Sequence, residues 1–169
     1  MSAGKTRGLS FSRSTRLTPR QRRDLEKALE ARAAEYAAVR ESDPGLSSAM
    51  SKPRIEDLIV AKRSGRVAGF IGRRGKKLFS LYVRKGERGK NVATQLFHFV
   101  LRDELQRKGK AELELRKLDA SAQRIVANTQ EFFHKTPYEL SFKVNRKGSQ
   151  GRRFPTFNVT ARKRRVRGK

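Results

Sequence analysis

The sequence has no cysteine and only two histidines, and these absences exclude several kinds of chemistry. Without cysteine, the 169-residue chain forms no disulfide, binds no metal through thiolates and has no cysteine nucleophile. His98 and His134 alone are a poor basis for a zinc centre. We therefore expect no metal site.

Long apolar runs are also missing. No stretch reaches the roughly 18 apolar residues that a transmembrane helix needs. Residues 1–23 lack the apolar core of a secretory signal and contain many arginines and serines but no acid. A flexible basic arm is our preferred interpretation of this segment, with an organellar transit peptide as the alternative. We expect an intracellular protein without membrane contact.

Acidic residues are scarce: 16 stand against 42 lysines and arginines, for a net charge of +26. The excess is concentrated in three basic blocks, residues 1–23, 62–90 and 143–169, while the remainder is nearly balanced. Such segregation predicts a polyanionic partner, with nucleic acid favoured over an acidic protein surface or a phosphorylated ligand. The candidate contacts are Arg73, Arg74, Lys76, Lys77, Arg152, Arg153, Arg162, Lys163, Arg164 and Arg165.

Hydrophobic spacing predicts a mixed α/β (α+β) chain in the order β-α-α-β-β-β-α-β-α-β-β. An antiparallel meander is followed by one parallel, right-handed β-α-β crossover. We expect one domain over 9–160, between a basic arm at 1–8 and a basic tail at 161–169. The predicted strands cover 9–13, 58–61, 67–71, 78–83, 111–118, 138–144 and 154–159. The predicted helices cover 18–40, 51–56 and 91–108, with a fourth that begins at Asp119 or Ser121 and ends before Pro137.

The segment 84–93 carries the most specific chemical signal. An apolar strand ends in a short basic turn with Gly86 and Gly89, and the turn opens directly into an amphipathic helix. Unpaired backbone N–H groups at a helix start, beside Arg88 and Lys90, are suited to binding an anion. The alternative is an ordinary strand-to-helix loop with solvated basic side chains.

Placed within the element order, this turn resembles the GCN5-related N-acetyltransferase (GNAT) superfamily. Arg88-Gly89-Lys90-Asn91-Val92-Ala93 is similar to the family pattern Gln/Arg-x-x-Gly-x-Gly/Ala, with Asn91 where glycine is usual. Asparagine tolerates the left-handed backbone better than other non-glycine residues. The segment from Phe132 to Tyr138 resembles the end of the family's motif B helix. The resemblance covers about 9–159.

The resemblance implies that acetyl-CoA binds at this turn, with its pyrophosphate over the start of helix 91–108. It also implies that strands 78–83 and 111–118 splay apart around the pantetheine arm. The implied cofactor-binding residues are Leu81, Val83, Arg88, Gly89, Lys90, Asn91, Val92 and Ala93.

The catalytic residues that many GNAT relatives carry are missing here. Residues 78–83 contain no carboxylate to serve as general base, and Phe133 stands where relatives have a tyrosine that protonates the thiolate. The remaining candidates are Tyr138, His134 and Ser80. Each also has a plain structural reading, as a strand residue or a helix-end histidine. Amine transfer through positioning alone stays open.

Two functions follow from these observations. The first is an acetyl-CoA-dependent N-acetyltransferase that acts on an amine of an acidic or nucleic-acid-associated substrate. The second is a non-catalytic GNAT-like module that binds RNA or DNA within a ribonucleoprotein or similar assembly. The phosphate-binding turn favours the first, and the missing glutamate and tyrosine favour the second.

Overall fold

The computed structural model describes residues 8–42, 53–116, 120–145 and 156–164. They form a mixed α/β structure with a seven-stranded, mostly antiparallel sheet that contains one parallel pair, as the sequence predicts. The strands are β1 (Leu9–Arg13), β2 (Leu58–Arg63), β3 (Arg66–Arg74), β4 (Lys77–Val83), β5 (Lys110–Arg116), β6 (Tyr138–Asn145) and β7 (Thr156–Lys163). The described helices are α1 (Pro19–Ser42), α2 (Val92–Lys108) and α3 (Ala120–His134).

Contacts within the chain divide it into two compact units, of which the first comprises Met1–Gly72 and Ser80–Leu96. In this unit β1 pairs with β2 and β2 with β3, both antiparallel, and β4 follows next to β3. Apolar residues on these strands pack against the apolar face of α1. The resulting core consists of Leu17, Leu25, Ala28, Leu29, Leu58, Val60, Val67, Phe70 and Tyr82.

Helix α1 begins with a capping box. The Thr18 Oγ1 accepts a hydrogen bond from the Gln21 N–H at 3.3 Å, and the Thr18 N–H donates to Gln21 Oε1 at 3.1 Å. Ala33 and Ala37 on this helix are exposed. The buried face instead continues from Leu29 to Arg32, because three- and four-residue steps from the core residues Ala28 and Leu29 lead there.

The second unit comprises Arg73–Phe79 and Phe97–Lys169. Its strands lie in the order β4, β5, β7, β6. The β4–β5 pair is parallel, with Lys77 opposite Glu114, and the other two pairs are antiparallel. Gly109 ends α2 with φ 68°, the left-handed backbone typical of a C-cap glycine. Phe132 on α3 is 44% exposed. The buried residues of this unit include Phe97, Leu101, Leu105, Leu113, Ile125, Phe133 and Val159.

Two predicted boundaries change. The helix expected over 51–56 is, in its described part, a single 3-10 turn at Ile55–Asp57, because strand pairing already begins at Leu58. The basic tail expected from Ala161 begins later. Buried Ala161 continues the alternation of β7 opposite Ala111 on β5, and the strand runs to Lys163.

Some predictions fall outside the described residues. Apart from Gly8, the arm at 1–8 lies there, and so does the tail beyond Arg164. The expectation of a single domain over 9–160 stays a prediction. No helix in the described part of the chain is both long and apolar enough to cross a membrane.

Candidate functional site

The turn between β4 and α2 has the backbone geometry of an anion cradle. A 3-10 turn at Lys85–Glu87 follows β4, and Gly89 (φ 78°) and Asn91 (φ 58°) then adopt left-handed backbone. Asn91 therefore takes the conformation for which GNAT relatives usually supply glycine. Space beside Gly89 is open, since a Cβ there would meet no atom within 4 Å. A ligand can approach the backbone closely at this point.

Unused amides complete this cradle. The first helical hydrogen bond of α2 runs from the Gln95 N–H to the Asn91 carbonyl at 3.0 Å. The amides of Val92, Ala93 and Thr94 precede it and so lack an intrahelical acceptor. The first turn of α2 carries no acidic side chain that would compete for these donors. The arrangement suits a phosphate or pyrophosphate.

Close packing of β3 against β4 holds the cradle in place. The Arg84 N–H donates to the Ala68 carbonyl at 3.0 Å. Gly69 lies so close to β4 that a Cβ would stand 2.6 Å from the Tyr82 carbonyl oxygen and 3.3 Å from Val92 Cγ1. Glycine is therefore required at position 69 by packing, although its φ is ordinary.

Asp24 on α1 forms hydrogen bonds to β3 and to the base of the turn, which the sequence did not predict. Its carboxylate accepts a hydrogen bond from the Val67 N–H at 2.6 Å and another from Arg84 Nη2 at 2.9 Å. Burial alone would raise the pKa of Asp24, but the bonds from Arg84 and Val67 outweigh it and hold the pKa below its usual value. The charged carboxylate thus links α1, β3 and the base of the turn.

The two basic side chains of the predicted motif are engaged within the chain. Arg88 donates through Nε to the Val83 carbonyl at 3.0 Å and through Nη2 to Glu35 Oε2 at 2.5 Å. Lys90 lies 3.4 Å from Glu87, which also binds Arg63 at 2.8 Å. The positive charge of the turn is therefore partly neutralised, and the backbone amides are its main anion donors.

The strand residues implied to face pantetheine differ in availability. Leu81 and Val83 are both partly exposed. The Val83 carbonyl already accepts the Arg88 hydrogen bond. The expected splaying of the strand at 111–118 stays a prediction, because residues 117–119 lie outside the described part of the chain.

Ser80 lies on β4 with left-handed backbone (φ 54°), an irregularity within the strand. Its Oγ accepts a hydrogen bond from Arg32 Nη2 at 3.0 Å. Arg32 is only 5% exposed, and its guanidinium carbon lies 4.4 Å from the centre of the Tyr36 ring. Burial lowers the pKa of Arg32, and the neighbouring Tyr36 opposes this effect. Only the spacing of three residues between Leu29 and Arg32 indicates this buried cation in the sequence.

The other two candidate catalytic residues, His134 and Tyr138, lie together in the second unit. They line a shallow cavity of about 210 Å³ with Phe133 and Arg164, among others. The His134 carbonyl accepts a hydrogen bond from Arg164 Nη2 at 3.3 Å. Phe133, at the family's tyrosine position, is 2% exposed and packs in the core. Catalytic roles for Ser80, His134 and Tyr138 stay predictions.

The candidate polyanion contacts are distributed unevenly. Arg73 has a side chain only 14% exposed and forms ion pairs with Glu104 and Asp103. Lys76 pairs with Glu112, and Arg162 pairs with Glu139 at 3.2 Å. Arg74, Lys77, Lys163 and Arg164 are exposed, and Arg152, Arg153 and Arg165 lie outside the described residues.

Comparisons with known proteins now bear on this geometry. A family described as the Acetyltransferase (GNAT) domain matches residues 30–139, well over half of the chain. The chain belongs to the GNAT family of acetyltransferases. GNAT enzymes use acetyl-CoA, and this chain is an N-acetyltransferase, as expected from the turn at 84–93. A search among curated proteins finds no significant match.

Solved structures share the GNAT fold at low sequence identity. Diaminobutyrate acetyltransferase EctA from Paenibacillus lautus is 12% identical with a TM-score of 0.50, and the match covers 89% of this chain and 93% of that one. A GNAT-family acetyltransferase from Staphylococcus aureus MU50 is 14% identical with a TM-score of 0.48, covering 92% and 98%. An aminoglycoside 6'-N-acetyltransferase solved with coenzyme A is 19% identical with a TM-score of 0.47, covering 95% and 99%.

The residues of this GNAT chain fit the cofactor. The open space at Gly89 and the free amides of α2 would hold the pyrophosphate. Leu81 on β4 would offer backbone groups to the pantetheine arm. Bound acetyl-CoA would supply an acetyl thioester, whose acetyl group is transferred to the acceptor amine with release of coenzyme A as the thiol.

Proposed function

We propose that this N-acetyltransferase acts on an amine of an acidic or nucleic-acid-associated substrate. The proposal rests on the net charge of +26, which remains after all 16 acidic residues are set against the 42 lysines and arginines. A surface of this charge concentrates anionic molecules around the protein and accelerates their association. The proposal thus concerns how the acceptor reaches the site.

Exposed positive charge at the start of α1 supports the proposal. Arg20, Arg22 and Arg23 are all exposed there, and the first turn of the helix contains no acid. Positive charge at a helix N-terminus is opposed by the helix dipole, so these arginines do not stabilise the helix locally. An anionic partner would compensate them.

Part of the charge predicted from the sequence is unavailable for this purpose. In block 62–90, acids distant in the sequence pair with Arg73, Lys76, Arg84 and Arg88. The block therefore presents less free positive charge than its composition implies. In the described part of the chain, the exposed arginines of α1 and the basic end of β7, where Lys163 and Arg164 are exposed, add positive charge outside this block.

Peptide acceptors test the proposal directly. Each peptide carries one lysine amine flanked by aspartates, alanines or arginines, and release of coenzyme A is followed with a thiol reagent, since the enzyme has no cysteine to interfere. We expect the aspartate-flanked peptide to be preferred at low salt and the preference to fall as salt rises. Equal use of the arginine-flanked peptide would overturn the acidic-substrate proposal.

A parallel experiment addresses nucleic acid. If six or more phosphates are contacted, affinity for single-stranded RNA should fall about 300-fold or more between 50 and 200 mM salt. Deletion of residues 165–169, which leaves β7 intact, should reduce this salt slope. If affinity hardly changes with salt, or if an arginine-flanked peptide is not acetylated better when RNA is present, association through nucleic acid is wrong.

A further inference from the structure

Arg32 differs from the other arginines whose contacts are described in the first unit. Only 5% of Arg32 is exposed. One guanidinium nitrogen donates a hydrogen bond to Ser80 Oγ, and the guanidinium carbon lies over the Tyr36 ring. The Nε–H is buried and has no hydrogen-bond partner in the described part of the chain.

A buried guanidinium normally faces a carboxylate, because an uncompensated buried charge is costly. Even the more exposed Arg63, Arg84 and Arg88 each pair with a carboxylate, of Glu87, Asp24 and Glu35 respectively. No described carboxylate contacts Arg32. Glu35, one turn further along α1, is already bound to Arg88. The structure therefore holds a buried cation with an unused donor.

Arg32 contacts β4, the strand that leads into the cofactor turn. Ser80 lies on β4, three residues before Val83 and the cofactor turn, at roughly 10 Å along a strand. Ser80 and Tyr36, the two groups against the guanidinium, are each partly exposed. A small ligand at this part of β4 can thus reach the guanidinium with limited rearrangement.

We propose that Arg32, assisted by the Ser80 hydroxyl, binds a carboxylate of the acceptor substrate. The inference rests on the proposed function and specifies it: the acceptor carries a carboxylate as well as the reacting amine. A guanidinium binds a carboxylate through two parallel hydrogen bonds. A carboxylate matches better than a phosphoryl dianion, because one guanidinium supplies one charge and Glu35 on the same helix is anionic.

Matched pairs of acceptors test this role. Each amine is offered once with its carboxylate and once as the carboxamide, and lysine with lysinamide is one such pair. The wild type should prefer the carboxylate form by about tenfold or more in kcat/KM. Arg32→Gln should abolish the preference, and Arg32→Lys should keep part of it. Lys27→Gln, which removes an exposed charge from the same helix, should leave it unchanged. An unchanged preference in Arg32→Gln would overturn the proposal.

A second measurement does not depend on turnover. In ¹⁵N-labelled protein with coenzyme A, the Arg32 Nε–H resonance, assigned by its loss in Arg32→Lys, should shift with lysine but not with lysinamide. If no carboxylate-bearing acceptor shifts it, Arg32 has only a structural role and the proposal is wrong. If acidic acceptors are not acetylated, the proposed function fails, and the resonance still decides the role of Arg32.

Discussion

Substitution of Asn91 probes the left-handed backbone on which the cofactor turn depends. At φ 58° a side chain with a Cβ costs about 1–2 kcal/mol unless it is asparagine or aspartate. We expect Asn91→Ala to lower the free energy of unfolding by about 1 kcal/mol and Asn91→Val by about 2 kcal/mol, since β-branched residues tolerate this region worst. Asn91→Gly should stay within about 0.5 kcal/mol of the wild type.

The affinities of the same variants for acetyl-CoA should follow the same order as their stabilities. A residue that favours another backbone conformation displaces the amides of Val92 and Ala93, so binding must restore the turn at a cost of about 1 kcal/mol. Asn91→Ala should therefore bind acetyl-CoA about fivefold more weakly. The assays are urea unfolding and titration calorimetry.

Gly86→Ala is the matched control for this series. Gly86 lies in the same turn, but its φ is ordinary and a Cβ there would meet no atom within 4 Å. We expect this variant to be neutral or more stable by up to about 1 kcal/mol. If Asn91→Ala and Gly86→Ala leave stability and affinity equally unchanged, the left-handed cradle is not required and the reasoning is wrong.

Three further predictions concern packing, pH and charge. Gly69→Ala should cost about 1–3 kcal/mol of stability in urea unfolding, because its Cβ would stand 2.6 Å from the Tyr82 carbonyl; a neutral result would contradict the close approach. Burial lowers the pKa of His98 from 6.5 to about 4, so the unfolded state binds the proton more readily; stability should fall by up to about 3 kcal/mol between pH 6.5 and 4, and His98→Gln should flatten this slope. Glu35→Gln frees Arg88 and should tighten acetyl-CoA binding up to about fivefold by calorimetry, whereas weaker binding would show that the ion pair supports the site.

The features that the sequence predicted well are those that local chemistry determines. Strands β2 and β3 are short apolar runs bounded by turn residues, and Gly89 and Asn91 are residue types that accept left-handed backbone, so the meander and the turn could be predicted from neighbouring positions. The burial of Arg32 could not be predicted in this way, because arginine is usually exposed. Only its helical spacing from Leu29 indicated that it lies on the buried face of α1.

Charge was misjudged for a related reason. The sequence separates Arg88 from Glu35 by 53 positions, yet folding brings them into an ion pair. Arg73 and Glu104 show the same effect in the second unit. Composition therefore overestimated the free charge of block 62–90, since pairing between distant segments depends on the tertiary structure. The extension of β7 through Ala161 also depended on partners, in this case β5 and β6.

Calorimetric titration with acetyl-CoA tests the central claim, that the turn at 84–93 is the cofactor site. The wild type and Lys27→Gln should bind with the same affinity. Arg88→Ala combined with Asn91→Asp should bind at least tenfold more weakly, because a carboxylate then faces the pyrophosphate and the Arg88 contact to Val83 is lost. No binding by the wild type, or equal binding by the double variant, would contradict the account.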